Sequence, residues 1–378
     1  MSTLKVNTIQ DSGGNTILSS DGSGGFTNSL PAGKSGSFRN IIINGDMSIA
    51  QRATSTASIT SGGYYTVDRF QTSIGTAGTW TQSQSTDVPT GQGFSSSLKM
   101  DCTTANASLS AGSNLIFQQR LEGQNLQYLK KGTSNAESLT LSFWVKSNKT
   151  GTYITNLYDL SNNRSISKSY TISVADTWEK KTITYDGDIT GTFANNNTRS
   201  FDVNFWLVAG TTYNSGTLQT SWGSLVQADR AVGQVNLADS TANEWYITGV
   251  QLEAGTTASD FEFLPVDVNL QRCLRYYEKS GNFIASKVSS NTIPRFEIYE
   301  PVYYQVQKRA AATVTITGFS GGTNQVSRAD TGADLGANSG RLYTNGINFF
   351  NLDNNNSSSP ITTNYTAVTY TFKSDAEL

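Results

Sequence analysis

The chain contains no histidine. Without an imidazole there is no Ser-His-Asp or Cys-His catalysis and no His-ligated metal centre. Cysteine is nearly as scarce: Cys102 and Cys273 stand alone, far apart and without metal-type spacing, so neither a disulfide framework nor a zinc site is supported. Proline numbers only 6 in 378 residues, and charged residues make up 15%. With 27 Lys and Arg against 29 Asp and Glu, the net charge is -2 and the pI near 5.4. A polyphosphate partner would meet no basic field, which argues against nucleic-acid binding. No apolar run approaches the roughly 20 residues that span a bilayer, and the polar N-terminal stretch lacks the apolar core of a signal peptide. A soluble chain is expected. Paired-carboxylate chemistry stays open, since two acids about 5 to 9 Å apart suffice for glycoside hydrolysis, but no spacing singles out a pair and most acids read as solvated surface charges.

What is abundant is glycine, 34 residues, with 17 Tyr and 17 Phe in a background of Ser, Thr and Asn. That mixture suits short strands joined by small polar turns. An all-β chain of two or three domains is expected, each large enough to bury a core without staples.

Residues 1–38 form a first unit. Segments 4–9 and 15–18 alternate like short strands, and 19–25 is almost wholly Ser, Gly and Asp. Two such strands do not bury a core, so the unit reads as an arm that docks by strand addition onto identical arms or a scaffold; a flexible leader is the alternative. A central unit, 39–268, shows period-two alternation. Leu139, Leu141, Phe143 and Val145 oppose Thr140, Ser142 and Trp144; Phe201, Val203, Phe205 and Leu207 oppose Asp202, Asn204 and Trp206. If the sheets pack core face to core face, Trp144 and Trp206 sit on outer faces. A tryptophan on a polar face is a platform for a pyranose, with Asn204, Asp202, Ser142 and Lys146 to bond its hydroxyls. Packing of the same rings under a neighbouring subunit or a folded-back loop is the favoured alternative, since exposed tryptophans also mark protein interfaces. Trp80, Trp178, Trp222 and Trp245 are undecided.

Residues 269–378 make up a short linking helix and a second β unit. Leu270, Cys273, Leu274 and Tyr277 share a face at i, i+3, i+4, i+7, so a helix is expected over 268–279 with Gly281 as its stop. Strands are expected over 294–299, 313–317, 341–343, 348–352 and 367–372. Polar loops at 318–340 and 353–359 are candidate binding loops.

Several phrases occur together. Asn40-Ile41-Ile42-Ile43-Asn44-Gly45-Asp46-Met47 reads as an aliphatic opening strand running into a turn, and Ile247-Thr248-Gly249-Val250-Gln251-Leu252-Glu253 as its closing partner. Leu270-Gln271-Arg272-Cys273-Leu274-Arg275-Tyr276-Tyr277, Val67-Asp68-Arg69-Phe70, Thr177-Trp178-Glu179-Lys180 and Ser374-Asp375-Ala376-Glu377-Leu378 accompany them, as does the opening Met1-Ser2-Thr3-Leu4-Lys5-Val6-Asn7. In this order they resemble bacteriophage tail-fibre proteins, cyanophage ones included, with a jelly roll like a carbohydrate-binding module at the centre. The resemblance implies a virion protein made in the bacterial cytoplasm and released by lysis, a homotrimer, attached through residues 1–38 to other tail or capsid proteins. It implies host contact through the C-terminal unit or the jelly roll, and a structural calcium, for which Asp46 and Glu253 are candidate oxygen ligands; a plain turn at Asn44-Gly45-Asp46 is the alternative. The expected function is non-enzymatic adhesion to bacterial surface glycan. A purely structural head fibre, decoration or tail connector protein and a polysaccharide depolymerase are the rivals.

Overall fold

A computed structural model describes residues 6–10, 12–14, 16–20, 22, 26–28, 38–281, 283–286, 301–328, 332–334, 341–353 and 367–378. Its centre is an all-β sandwich of jelly-roll type, two antiparallel six-stranded sheets face to face. The front sheet runs, edge to edge, Glu179–Tyr185, Leu139–Ser147, Glu244–Ala254, Ser97–Thr104, Thr79–Ser85 and Ser55–Ile59. The back sheet runs Gly223–Ser224, Arg164–Ile172, Gly151–Asp159, Arg199–Ala209, Asn114–Glu122 and Phe70–Gly75.

Alternation places the core where period two requires. Leu139, Leu141, Phe143 and Val145 of the front sheet meet Phe201, Val203, Phe205 and Leu207 of the back sheet in one buried cluster. Rings set its geometry: Phe143 meets Phe205 edge-on at 5.1 Å, and Phe117 meets Trp245 at 5.9 Å. Each such side chain contributes roughly 1.5–3 kcal/mol by leaving water. Trp80 and Trp245 are spent in this core.

Three expected elements come out differently. Residues 40–43 are not a strand. The segment instead bonds by single contacts, Ile41 N to Leu252 O at 2.9 Å and Ile43 N to the Gln119 side chain at 2.8 Å, while the Asn40 amide donates to Val250 O at 3.1 Å. Asn40 and Gln119 side chains thus replace a ladder. The helix spans Val266–Leu274 rather than 268–279, and Tyr277–Lys279 is a strand. Periodicity misled there because Tyr277 is buried, at 4% exposure, by a sheet rather than by a helix face. Finally, the outer face of Arg199–Ala209 is as buried as its inner one: residues 210–230 fold back over it, with Ala231 N bonded to Tyr213 O at 2.8 Å.

Beyond the helix, Ala367–Asp375 pairs with Tyr277–Lys279, Phe283–Ser286, Thr313–Thr317 and Ser327–Arg328. Val302–Tyr303, Phe349–Asp353 and Arg341–Asn345 make a second small sheet. Tyr304, Ile316, Phe350, Tyr370 and Phe372 are among the residues of a separate core. Ile43, Ile49, Cys273 and Tyr276 join this unit to the sandwich, with Leu378 packed against them. At the other end Thr8–Gln10, Thr16–Ser20 and Phe26–Asn28 form a three-stranded sheet, its third strand unforeseen in the sequence. The expected strand at 294–299, much of the 318–340 loop and residues 354–359 lie outside the described residues.

Candidate functional site

Trp144 lies on the outer face of the front sheet, half-buried, with Lys180 opposite it on one neighbouring strand and Thr248 on the other. After Thr248 the register slips, so that Gln251 opposite Ser142 is the next pair. This bulge holds Gly249 at φ +62, and a Cβ there would meet the Phe94 ring at 2.6 Å. Glycine is required twice over, for the left-handed backbone and for the close ring. Phe94 is thereby laid against the bulge and meets Phe261 at 5.1 Å and Phe263 at 5.0 Å; those two meet edge-on at 4.8 Å.

The result is a cleft of 310 Å³ whose lining includes Trp144, Phe94, Phe261 and Phe263 together with Ser142, Gln92, Lys180 and Asp260. Lys180 and Asp260 are exposed, and among the described residues Lys180 makes no ion pair. Asp260 is the one acid among the described lining residues, so the cleft holds no carboxylate pair for glycoside cleavage. Aromatic surface with hydroxyl, amide and charged groups at its edge is the chemistry that accepts a ring with one apolar face and polar substituents.

The same face continues past Trp144. Lys146 is two residues on and pairs with Asp87, its ammonium 4.4 Å from the Tyr246 ring centre and 5.8 Å from that of Trp178. The Trp178 indole donates to Asp87 at 2.9 Å. Burial alone would push the Asp87 carboxyl up, but the bonds from Lys146 and Trp178 outweigh it and hold the group below its ordinary range. Burial, reinforced by Glu244, pushes the Tyr246 phenol to about 12. Lys146 is therefore a fixed, paired cation rather than a free donor.

The other three glycan candidates are elsewhere. Trp206, Asn204 and Asp202 lie on the outer face of the back sheet, at 0%, 1% and 1% exposure. Trp206 packs against Tyr213 at 5.1 Å beneath residues 210–230, with the Arg230 guanidinium also 5.1 Å from its ring centre. Asp202 pairs with Arg199, and the Asn204 amide donates to Asn156 at 3.2 Å. Trp206 thus takes the alternative expected for it, a ring packed under a folded-back loop, and that segment occupies the ring face a sugar would need.

The calcium candidates are not brought into a cluster of acidic ligands among the described residues. Glu253, 1% exposed, already accepts from Ser259 N at 2.8 Å, Ser259 Oγ at 2.7 Å and the Gln251 amide at 2.9 Å, with Arg39 at 3.7 Å. Asp46 accepts from the Asn269 amide at 3.2 Å. Among the described residues no group of three or more His, Cys, Asp or Glu converges as a metal site. Asn44-Gly45-Asp46 instead makes a turn closed by Met47 N to Asn44 O at 3.0 Å, with Asn44 at φ +61. A Cβ on Gly45 would fall 2.0 Å from Val250 O, so glycine serves close approach there.

The residues that sequence reasoning missed are Phe94, Phe261, Phe263, Lys180 and Gly249. Phe261 and Phe263 alternate around Glu262, a two-residue spacing that was available; Phe94, far away in sequence, carried no such signal.

No protein-family model matches the chain, and no curated protein does. Among solved structures, it is similar to the enzymatically active domain of tailspike protein 4 of bacteriophage CBA120, at 15% identity over 57% of this chain and 21% of that one, TM-score 0.30. A family 4 carbohydrate-binding module matches at 11% identity over 56% of this chain and 97% of that one, TM-score 0.29. A family 11 carbohydrate-binding module from Clostridium thermocellum, in complex with a β-1,3-1,4-mixed-linked tetrasaccharide, matches at 11% over 54% and 98%, TM-score 0.26. The matched segment is about a fifth of the tailspike chain, and at these TM-scores no functional conclusion follows.

Proposed function

We propose that the front-face cleft binds carbohydrate and that the chain is a non-enzymatic adhesin, a virion fibre subunit contacting bacterial surface glycan. The observation that carries the binding site is Trp144, half-exposed in an aromatic-lined cleft with hydroxyl, amide and charged groups at its edge. On this reading residues 1–38 dock the subunit on other tail or capsid proteins, residues 39–268 hold the sugar site and residues 269–378 extend the fibre. Trimerisation would multiply weak sugar contacts through effective concentration.

The test is binding of labelled full-length protein to host cells and to their purified polysaccharide, with Trp144→Ala alongside. Saturable binding lost in the variant supports the reading. Absence of binding moves the assignment to a structural head fibre, decoration or tail connector protein, and release of new reducing ends from the polysaccharide would make it a depolymerase.

A further inference from the structure

A second cleft lies at the base of the sandwich, between the 3-10 helix Gly123–Leu129 and the helix Val266–Leu274. Its volume is 370 Å³, within the span of small-molecule sites, about 300–1,000 Å³. Tyr128, 50% exposed, and the exposed amides of Gln124 and Asn125 line one side; Arg272 and Arg275 line the other; Leu121 supplies apolar surface.

The two arginines differ in one decisive respect. Arg275 is satisfied by Glu122, with paired bonds of 2.9 and 2.8 Å, and Tyr276 Oη bonds the same carboxylate at 2.5 Å. Arg272 makes no ion pair within 4.0 Å among the described residues, and its one described bond is to Asn40 O at 3.3 Å. The nearby Glu262 carboxylate is occupied by the backbone amides of Phe38 and Asn40, at 2.5 and 2.9 Å. The cleft lining therefore carries Glu122, Arg275 and Arg272, a net charge of +1, with the surplus on a half-buried guanidinium. Such a fork matches a carboxylate with two parallel bonds. The Gln124 Nε2 donates to Glu122 at 2.6 Å, which leaves its carbonyl oxygen as an acceptor in the cleft lining. A phosphate would satisfy the charge but give no role to the Tyr128 ring, that oxygen or the Asn125 amide, whereas an acidic sugar uses all three.

We propose that this cleft binds a hexuronate unit of an acidic polysaccharide, with its carboxylate on Arg272, its ring against Tyr128 and its hydroxyls on Gln124 and Asn125. The proposal concerns a site separate from the Trp144 cleft and stands or falls without it.

The experiment is calorimetric titration of the full chain with tetragalacturonate, neutral galactotetraose and inorganic phosphate, using wild type, Arg272→Gln, Tyr128→Ala and Trp144→Ala. Expected is saturable binding of the uronate, weakened about tenfold or more by Arg272→Gln and by Tyr128→Ala and unchanged by Trp144→Ala. Tyr128 is exposed enough that its variant folds if Arg272→Gln does not, and thermal melts check both. Equal affinity for the neutral oligomer, full binding by Arg272→Gln, phosphate bound as tightly as the uronate, or no uronate binding at all overturns the proposal. Uronate binding lost only in Trp144→Ala overturns it while supporting the front-face cleft.

Discussion

Arg69 and Glu377, 308 positions apart, form an ion pair in which the side chains are 0% and 4% exposed. The guanidinium also lies 3.4 Å from the centre of the Tyr276 ring and donates to Arg120 O at 2.6 Å. Around it, Arg52 pairs with Asp375 at 3.0 Å and with Glu377 at 3.4 Å, Arg120 and Tyr64 bond Leu378 O at 2.6 and 3.1 Å, and Arg309 bonds Ala376 O and Glu377 O at 2.8 and 3.0 Å. Residues 375–378 are thus held in a cationic socket at the base of the sandwich.

Removing one partner of so buried a pair leaves an uncompensated charge, which costs about 3–5 kcal/mol. Glu377→Ala should lower unfolding free energy by roughly that amount, read from denaturant curves. A loss below about 0.5 kcal/mol, normal for a surface position, would show the socket to be dispensable.

The two outer-face tryptophans should separate cleanly. Trp206→Ala empties a fully buried site and should cost about 3–5 kcal/mol, whatever ligand is present. Trp144→Ala, half-exposed, should cost clearly less and show its effect in glycan binding. Paired melts and titrations of the two variants measure this, and equal destabilisation would contradict the burial difference.

Gly249→Ala should be harmful despite adding one methyl group. The φ of +62 and the 2.6 Å approach to Phe94 together imply about 1–3 kcal/mol of strain. Because Phe94 must move, sugar affinity at the front cleft should fall in the same variant; an unchanged melt with unchanged binding would refute the bulge's role.

Asp68 gives a pH signature. Burial raises its carboxyl from 3.8 to about 6, against the opposing bonds from Gln51. A raised acid holds its proton longer folded than unfolded, so its contribution is most favourable below about pH 4 and is lost as pH rises to about 6. At about 1.4 kcal/mol per pH unit the change is on the order of 3 kcal/mol. Asp68→Asn should therefore flatten the fall in stability between those pH values relative to wild type. Identical pH profiles for the two proteins would show that Asp68 titrates normally.

Much of the sandwich was legible because alternation records burial. Leu139 to Val145 and Phe201 to Leu207 pointed their odd residues inward as period two dictates. What alternation does not record is what covers the opposite face. Trp144 and Trp206 have the same local pattern, Ser-Phe-Trp-Val and Asn-Phe-Trp-Leu, yet residues 210–230 cover only the second. The segment 40–43 looked like a strand because three isoleucines suit one, but Asn40 and Gln119 side chains answer its backbone groups instead. The front cleft was half-visible: Trp144 and Ser142 came from one strand, while its phenylalanine wall was assembled from positions 94, 261 and 263, which only the fold brings together.

The socket for residues 375–378 also has a mechanical consequence. The strand Ala367–Asp375 that enters it carries the pairing of the C-terminal unit, including Tyr277–Lys279 next to the connecting helix. A pull on that unit would load the Arg52, Arg69 and Arg120 contacts and the Tyr277–Lys279 ladder side by side rather than one after another. The junction would then behave as a stiff joint that transmits torque and tension into the sandwich, instead of a hinge that dissipates them.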